Sequence, residues 1–267
     1  MRFRDQVVWI TGASSGIGEG LAHGFHQEGA DIIISARREA ELERVKAACT
    51  EGPGKVHILP FDIAEESARR DAVGTALREG GRVDILVNNA GISQRALGKD
   101  TLLDIDRRIM EVDYFGPIDL TKQILPNMIE RKSGHLVVTS SVAGKYGVPM
   151  RTAYCAAKHA LHGFFDTLRI ELLPYNIDIT LLVIAGVKSK VSLHSLTEDG
   201  AEWGKDDWVG SSGMPPIDCA KIVMDGMLAG EEEIDIAKGP PLELLWLKRF
   251  LPHTLTGRMS KIPLPQK

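Results

Sequence analysis

Short apolar runs alternate along the chain with longer segments in which apolar positions recur at helical spacing. The runs VVWI, DIIIS, KVHILPF, VDILVNN, GHLVVTSS and IDITLLVIA predict strands. The segments between them predict helices at 16–28, 38–49, 64–80, 101–132 and 151–175. Strands that are apolar on both faces, each followed by a helix, are typical of a parallel sheet covered by helices on both sides. The sequence therefore predicts an α/β, doubly wound fold in one domain, 1–267.

The segments that follow the strands are where chemistry is expected, because ligands bind outside the carboxyl ends of the strands in doubly wound sheets. One later stretch, 188–216, has little periodicity and is rich in Gly, Ser, Asp and Trp. We predict that it forms a mobile substrate lid on the cleft.

Composition limits the classes of partner. The 267 residues are 43% hydrophobic and 25% charged, as in globular proteins, and a formal charge of -4 offers no basic face for nucleic acid. Three cysteines, an odd number without metal-ligand spacing, indicate no disulfide and no metal site. The start, MRFRDQVVWITG, has too short an apolar run for a signal peptide or a transmembrane segment. We therefore expect a cytoplasmic protein that acts on small molecules.

The first strand runs into TGASSGIG, which places Gly12, Gly16 and Gly18 at a turn into a helix. Without side chains the backbone can approach a pyrophosphate closely, and the helix N-terminus offers unpaired N–H groups and a partial positive charge. The spacing Gly-x-x-x-Gly-x-Gly predicts a dinucleotide site. A tight glycine turn without a ligand is the alternative.

The second strand ends in Ser35, Ala36, Arg37 and Arg38, with no carboxylate before Glu39. An acid at this point usually holds the ribose hydroxyls of NAD, whereas an arginine receives the additional phosphate of NADP. The sequence therefore favours NADP, although both arginines would also suit the solvated start of a helix.

Polar residues follow the third and fourth strands. Asp62 could accept a hydrogen bond from an adenine amino group, and Asn88, in NNAG, could tie neighbouring strands together where they part. Either side chain would equally serve as a helix cap.

The predicted helix at 151–175 contains YCAAK, with Tyr154 and Lys158 four positions apart and thus on one face. A tyrosine and a lysine at this spacing form a weak motif by themselves. Read with TGASSGIG, Asp62, NNAG and a serine pair after the fifth strand, however, the chain resembles the short-chain dehydrogenase/reductase family over nearly its whole length. Ser141 lies at the family's usual interval before Tyr154.

The resemblance implies a Rossmann-like fold, an NADP(H) cofactor and a mechanism. Tyr154 is expected to be the general acid in reduction and the base in oxidation, with Lys158 favouring the phenolate and binding the nicotinamide ribose. Ser141 is expected to hydrogen-bond the substrate oxygen, and Ser140 is the alternative. The other implied cofactor contacts are Gly12, Ser14, Ser15, Gly16, Ile17, Gly18, Arg37, Arg38, Asp62, Ile63, Asn89, Ala90, Gly91, Gly186, Val187 and Ser189.

Two departures from the family pattern affect this site. Asp113, in VDYFG, replaces an asparagine whose main-chain carbonyl is expected to hold a water on the lysine, so the aspartate keeps the carbonyl but adds a charge. In IAGVKSK, 184–190, Ala185 replaces a proline and Ser189 stands in for a threonine that binds the carboxamide. This segment is one residue shorter than the family pattern, which leaves its path open.

The substrate is expected to be a hydrophobic ketone, aldehyde or alcohol. The segments 93–96, 142–148 and 188–216 would contact it and supply Tyr146, Val148, Val191, Leu193, Trp203 and Trp208. The tryptophans would equally suit packing of the lid onto the body. The C-terminal half resembles the hydroxysteroid and retinoid reductase branch. An NADPH-binding regulatory protein with little catalysis is the alternative function.

Assembly and membrane contact are predicted from apolar surface. Relatives associate through helices that correspond to 101–132 and 151–175, so we expect a homodimer or homotetramer. The run PLELLWLKRFLPHTL, 241–255, is apolar with two basic residues. It would suit peripheral membrane contact, a subunit interface or a helix docked on its own domain.

Overall fold

The computed structural model describes residues 1–205, 212–237, 239–262 and 264. A seven-stranded sheet has the order β3-β2-β1-β4-β5-β6-β7, and every neighbouring pair is parallel. The strands are β1 (Val7–Thr11), β2 (Asp31–Ser35), β3 (Val56–Ile58), β4 (Ile85–Asn88), β5 (Gly134–Thr139), β6 (Ile177–Ile184) and β7 (Glu233–Ile236). The doubly wound parallel sheet predicted from the sequence is confirmed.

Helices cover both faces of the sheet. They are α1 (Gly16–Gln27), α2 (Glu39–Ala48), α3 (Glu66–Gly80), α4 (Leu103–Met110), α5 (Gly116–Arg131), α6 (Thr152–Leu172), α7 (Pro216–Leu228), α8 (Pro240–Phe250) and α9 (Pro252–Met259). The side chains of α1, α2 and α7 pack in the core on one face. Those of α3, α5 and α6 pack in the core on the other face.

Strand β1 shows why the strands read as continuous apolar runs. Val8 and Ile10 belong to the core on the α1 face, whereas Val7 and Trp9 belong to the core on the α3 face. All four are nearly inaccessible to solvent. Because successive side chains in a strand point to opposite faces, a sheet covered on both sides has no polar position to alternate with.

The predicted helix at 101–132 contains a change of helical type. A π-helical turn, Glu111–Phe115, joins α4 to α5, and within it the N–H of Gly116 bonds to the carbonyl of Glu111. Such turns frequently occur at functional sites, because the extra residue redirects side chains and carbonyl groups. Asp113 lies in this turn.

The boundaries of the elements from residue 216 onward, which are α7, β7, α8 and α9, were not predicted from the sequence. β7 is only four residues long and half exposed, so its pattern is too short to read, and pairing with β6 defines it. The segment 241–255 forms two helices that meet at Leu251. Leu247 and Leu255 are buried against Tyr146 and Val183, which matches the prediction of docking on the chain's own domain.

The outer face of the same helices remains apolar. Trp246 is 57% exposed, and its ring lies 5.0 Å from the ring of Phe250, which is 60% exposed, at an interplanar angle of 44°. Among the residues that the structure describes, no helix combines the length and apolarity needed to cross a membrane.

We expect the fold to lose stability in mild acid, partly through His135. Its Nε2 bonds to the hydroxyl of Thr180, and burial lowers its pKa from 6.5 to about 4. The unfolded chain therefore binds a proton at a pH where the folded chain does not, so stability is present above about pH 6.5 and lost as the pH falls toward 4. Urea unfolding at pH 7 and pH 5 measures this loss, to which His135 contributes on the order of 1–2 kcal/mol.

His135→Gln keeps a hydrogen-bonding group but cannot gain the charge. The variant should show a smaller difference in unfolding free energy between the two pH values than the unmutated chain. An equal difference in both proteins would exclude His135 as a cause.

Candidate active site

One cavity of about 710 Å³ lies at the carboxyl ends of the strands, where the chain leaves β1 toward β2 on one side and β4 lies on the other. This is the position at which doubly wound sheets bind ligands. The predicted site residues that line it are Gly12, Ser14, Ser15, Gly16, Ile17, Arg37, Arg38, Asp62, Ile63, Asn89, Ala90, Gly91, Asp113, Ser141, Tyr154, Lys158, Gly186, Val187 and Ser189. The alternative Ser140 and the substrate residue Val191 line it as well.

The glycine loop has the backbone that the motif predicts. Gly12 has φ +67, and a Cβ there would lie 2.7 Å from the Cα of Ala90. Gly18 differs from the prediction, because it does not line the cavity. A Cβ on Gly18 would lie 2.4 Å from the carbonyl oxygen of Gly12, so this glycine lets α1 pack closely under the loop. The loop therefore needs glycine for two reasons: the positive φ at Gly12 and the close packing at both Gly12 and Gly18.

Asn89, rather than Asn88, joins the strands where they part. Its amide donates to the carbonyl of Thr11 on β1, at 3.0 Å, and its side-chain oxygen accepts from the hydroxyl of Thr139 on β5. Asn88 donates instead to the hydroxyl of Thr121 on α5. Residues of a strand alternate between faces, so a one-residue shift decides which asparagine reaches along the sheet edge.

The end of β2 carries two exposed arginines, Arg37 and Arg38, at the cavity wall. Asp62 lies on the same side of the cavity, and one of its carboxylate oxygens accepts from the N–H of Ala64. Its other oxygen lies 3.3 Å from the guanidinium of Arg108. Asp62 thus makes a local turn like a cap while lining the cavity, so both interpretations offered by the sequence retain support.

Ser141 and Ser140 have different surroundings. The hydroxyl of Ser140 forms a hydrogen bond with Nε2 of His162 at 2.9 Å, and the residue is 2% exposed. Burial lowers the pKa of His162 to about 4, so this imidazole is neutral near pH 7. The hydroxyl of Ser141 accepts from the N–H of Ala143 and keeps its own proton to donate. Ser141 is therefore the better placed of the two to donate to a ligand.

Helix α6 brings Tyr154 and Lys158 to one wall, as their spacing predicts. The ammonium of Lys158 lies 5.6 Å from the centre of the Tyr154 ring. It donates to the carbonyl of Thr139 at 3.0 Å and lies 3.3 Å from Oδ2 of Asp113. A Cβ on Gly91 would lie 3.2 Å from Asp113 Oδ2, so a larger residue there would press on this pair.

Asp113 has no solvent exposure, and its carboxylate is held from two sides. Oδ1 accepts from the N–H of Ile92 at 2.8 Å, while Oδ2 faces Lys158 without a well-aligned hydrogen bond. Burial raises the pKa of Asp113, and Lys158 offsets this only in part. Burial also opposes the ammonium of Lys158, but Asp113 and then Tyr154 outweigh it and hold the pKa of Lys158 above its ordinary value. The lysine is therefore charged at neutral pH.

The segment 184–190 crosses over the glycine loop despite its short length. Gly186 has φ +77, which glycine adopts without strain, and Val187 pairs with Met214. A Cβ on Gly16 would lie 3.1 Å from Cβ of Ser189, so this segment covers the loop closely.

The predicted substrate wall is largely different in the structure. Of the six apolar side chains named for it, Val191 lines the cavity. Tyr146 and Val148 pack instead in the small core under α8 and α9. Leu193 and Trp203 do not line the cavity, and Trp208 lies outside the described residues. Apolar residues in an irregular loop follow no fixed period, so the sequence does not show which of them face the cavity.

Several residues of the cavity wall were not predicted. They include Ile92, Arg108, Thr139 and Arg151. By contrast, the wall residues Val142, Ser192, His194, Leu196 and Glu202 lie in the predicted substrate segments 142–148 and 188–216. The guanidinium carbon of Arg151 lies 5.9 Å from the centre of the Tyr154 ring. Its position directly before α6 is the signal that would have indicated it. Arg108 lies on α4, Thr139 ends β5 and Ile92 follows β4, and none of them belongs to a local motif.

A dinucleotide fits the residues present. The glycine loop lines the cavity with bare backbone at Gly12 and Gly16, and the N-terminus of α1 opens at Gly16. Arg37 supplies positive charge at one end of the cavity, and Tyr154 and Lys158 lie at the other. A pyrophosphate would be bound by the loop and helix N-terminus, as in other dinucleotide sites.

Comparisons with known proteins agree with this geometry. The family model described as short chain dehydrogenase matches residues 6–199. A dehydrogenase/reductase SDR family protein 7-like from Anopheles gambiae is 41% identical over 261 residues, covering 96% of this chain and 82% of the relative. A short-chain dehydrogenase from Streptomyces avermitilis superposes with a TM-score of 0.81 at 25% identity, covering 96% of each chain. A metagenomic short-chain oxidoreductase in complex with NADP gives 0.72 at 25% identity, covering 89% of this chain and 100% of that one.

Proposed function

Because the chain belongs to the short-chain dehydrogenase/reductase family of NAD(P)-dependent oxidoreductases, we propose that it interconverts a hydrophobic carbonyl compound and its alcohol using NADP(H). The observation that carries the proposal is the meeting of Ser141, Tyr154 and Lys158 with the glycine loop in one cavity. When bound, the cofactor supplies or accepts the hydride.

The side chains of the cavity handle the proton and the developing charge. Tyr154 donates its phenolic proton to the substrate oxygen in reduction and accepts it in oxidation. Ser141 donates a hydrogen bond to the same oxygen, where negative charge develops. Since its oxygen is already occupied by the N–H of Ala143, its proton is directed away from that contact. Substitution of Ser141 by alanine should therefore lower turnover more than cofactor affinity.

Lys158 acts on Tyr154 through charge. Its ammonium is buried, so the attraction between it and a phenolate is less screened than in water. It also offers N–H groups to the ribose hydroxyls of the cofactor. Asp113 competes for the same ammonium, which moderates the effect on Tyr154. The carbonyl of Asp113, in the π-helical turn, is proposed to hold a water of the proton relay.

NADP is proposed over NAD because Arg37 and Arg38 lie at the cavity wall where the adenosine ribose would bind. Both side chains are exposed at that wall and so are accessible to a ligand. The NADP complex of the metagenomic relative supports this choice.

We expect NADPH to bind at least about tenfold more tightly than NADH, because a guanidinium pairs with the 2'-phosphate through charge-assisted hydrogen bonds. Arg37→Ala should remove most of this preference by weakening NADPH binding while leaving NADH binding nearly unchanged. Fluorescence titration of both cofactors measures the two dissociation constants. Arg4→Ala, at an exposed arginine that does not line the cavity, is the matched control. Equal constants in the unmutated protein would refute the assignment.

The substrate is proposed to present an apolar body to Val142, Leu196 and Val191. His194 and Glu202, which contact each other at 3.2 Å, add a polar rim. The segment 188–216, of which the structure describes 188–205 and 212–216, is proposed as the lid. Oxidation of NADPH with a panel of aromatic, steroid and aliphatic ketones and aldehydes tests the function.

An NADPH-binding regulatory protein is the second candidate, favoured by one observation: the buried carboxylate of Asp113 beside Lys158. Tight NADPH binding with no turnover of any compound in the panel would favour it. Turnover that depends on Tyr154 would exclude it.

We expect a homodimer or a homotetramer. Large apolar side chains remain exposed on or beside α4, α5 and α6, among them Leu103 (59%), Phe115 (47%), Ile170 (69%) and Leu173 (71%). Contiguous exposed apolar patches mark sites of protein association. Light scattering at micromolar concentration checks the mass. Leu173→Glu should weaken the assembly, and Leu228→Glu, on a different face but also exposed, should not. A monomer would contradict the prediction.

A further inference from the structure

We propose that Gln94 is a positioning residue that joins the substrate lid to the first turn of the helix that carries Tyr154. The inference rests on the proposed function for its catalytic consequence and on the hydrogen bonds around Gln94 for the link itself. Gln94 lies in the loop after β4, is 0% exposed and does not line the cavity. It therefore acts through its neighbours.

The first contact is with α6. Helix α6 begins after Arg151, whose side chain makes no capping hydrogen bond. The oxygen Oε1 of Gln94 accepts from the N–H of Ala153 at 3.0 Å, and the hydroxyl of Thr152 approaches the same oxygen at 3.5 Å. The first N–H groups of a helix have no partner within the helix, so an external acceptor fixes the first turn. Ala153 directly precedes Tyr154.

The second contact is with the lid. The backbone at Gln94 pairs in parallel with Leu196. The N–H of Leu196 donates to the carbonyl of Ser93 at 2.8 Å, and the N–H of Arg95 donates to the carbonyl of Leu196 at 2.8 Å. Leu196 also pairs with Glu202 on the returning part of the segment. Two backbone hydrogen bonds on either side of Gln94 thus hold the lid to this loop.

The third contact fixes the side chain between the two. The amide Nε2 of Gln94 donates to the hydroxyl of Thr101 at 2.7 Å, and that hydroxyl donates to the carbonyl of Leu97. Both ends of the amide are therefore satisfied, which a buried amide requires. Leu196 packs in the same apolar cluster as Ala153 and Tyr154, so packing and hydrogen bonds connect the same elements.

The consequence is a mechanical connection between substrate and acid. A substrate that contacts Leu196 or its neighbours thereby contacts the segment that is paired with the backbone at Gln94. The amide then holds the first turn of α6, and with it the phenol, at a defined distance from the lid. Since small displacements of a catalytic group lower the rate strongly, loss of the amide should lower turnover without lowering cofactor affinity.

Gln94→Met is the principal variant, because it keeps the length and approximate volume of the side chain, leaves the backbone pair with Leu196, and removes both hydrogen bonds. We expect kcat to fall about tenfold, with the NADPH dissociation constant within about twofold of the original. Gln94→Glu keeps an oxygen that accepts from Ala153, and a negative charge is favourable at a helix N-terminus. It should retain kcat within about threefold.

A matched pair of threonine variants separates this link from a general loss of stability. Thr101→Val removes the hydroxyl that accepts from the buried amide of Gln94, and Thr121→Val removes the hydroxyl that accepts from the buried amide of Asn88. Each leaves one buried amide unsatisfied, at a comparable cost in stability. Thr101→Val should lower kcat about threefold, whereas Thr121→Val should leave it unchanged.

Hydrogen exchange of the apoprotein tests the link without any turnover. In Gln94→Met, amides in peptides that cover 151–160 should exchange about fivefold faster or more, because the first turn of α6 loses its external acceptor. Peptides that cover 192–203 should change less, because their backbone pair with Gln94 remains. Thr121→Val should change neither. Unchanged exchange of 151–160 in Gln94→Met, or an equal loss of kcat in Thr101→Val and Thr121→Val, would overturn the proposal. If exchange were accelerated in Gln94→Met but Tyr154→Phe kept full activity, the link through Gln94 would be supported and the proposed function would be refuted instead.

Discussion

Tyr154→Phe should lower turnover by a factor of about 10² or more, while the affinity for NADPH stays within about twofold. The substitution removes one oxygen, the proton donor of the proposed reaction, and leaves an aromatic ring of the same shape. Tyr154 is only partly buried, in a cluster with Ala153 and Ala157, so the ring continues to pack and α6 keeps its position. Steady-state kinetics with a substrate from the ketone panel and fluorescence titration of NADPH measure the two effects.

Tyr146→Phe is the matched control, because it removes the same atom from a tyrosine that packs under α8 and α9 and does not line the cavity. Burial raises the pKa of Tyr146 to about 12, so its phenol stays protonated at any pH used in the assay. Its turnover should be close to that of the unmutated protein. Near-full activity of Tyr154→Phe toward a proven substrate would require the assignment of Ser141, Tyr154 and Lys158 to be abandoned.

Lys158→Met should abolish most turnover, weaken NADPH binding and destabilise the fold. Turnover falls because Tyr154 loses the cation beside it, and binding falls because the ribose loses its donor. Stability falls because the carboxylate of Asp113, with no solvent exposure, loses its partner. Breaking a buried pair in this way typically costs about 3–5 kcal/mol. Unfolding free energy from urea titration, together with kcat and the NADPH dissociation constant, reports the three effects.

The destabilisation of Lys158→Met should depend on pH. Burial already raises the pKa of Asp113, and without Lys158 it should rise further. A group whose pKa is raised in the folded state contributes stability at low pH and loses it as the pH rises through the folded value. The variant should therefore be closest to the unmutated protein near pH 5 and should fall behind it toward pH 8.

Asp113→Asn completes the double-mutant cycle. Alone, it keeps an oxygen for the N–H of Ile92 and the main-chain carbonyl of the π-helical turn, so we expect turnover to be preserved or increased. Combined with Lys158→Met, it should restore most of the lost stability and remove the pH dependence, but not the turnover. If Asp113→Asn alone abolished turnover, the aspartate side chain would itself have to be a catalytic group.

The strands show how much of the fold follows from local pattern. β1, β2, β5 and β6 coincide with their predicted runs to within a residue or two, because each run is apolar on both faces and bounded by polar residues or glycine. β7 and the helices after it lack such a pattern, so pairing with β6 and packing on Tyr146 decide their existence. The π-helical turn at Asp113 was likewise not predicted, since the apolar pattern of 101–132 reads as one continuous helix.

The residues of the cavity likewise divide into those that a sequence motif predicts and those that only the structure shows. Motif residues such as Gly12, Tyr154 and Lys158 were predictable, because their spacing alone places them at strand ends or on one helix face. The resemblance already favoured Ser141 over Ser140, but only the structure shows a physical reason, since His162 occupies the hydroxyl of Ser140. Six apolar residues were expected at the substrate wall, and of those only Val191 among the described residues lines it.

The sequence by itself determined the sheet, its parallel direction, the glycine loop and the face on which Tyr154 and Lys158 stand, because these depend on periodicities of two and 3.6 residues. Tertiary structure alone decided which asparagine ties the strands, where Asp113 pairs with Lys158 and how Gln94 connects two segments that are distant in sequence. The reason is physical: partners of a buried polar group are chosen by what the fold brings within about 3 Å, and no local pattern encodes that choice.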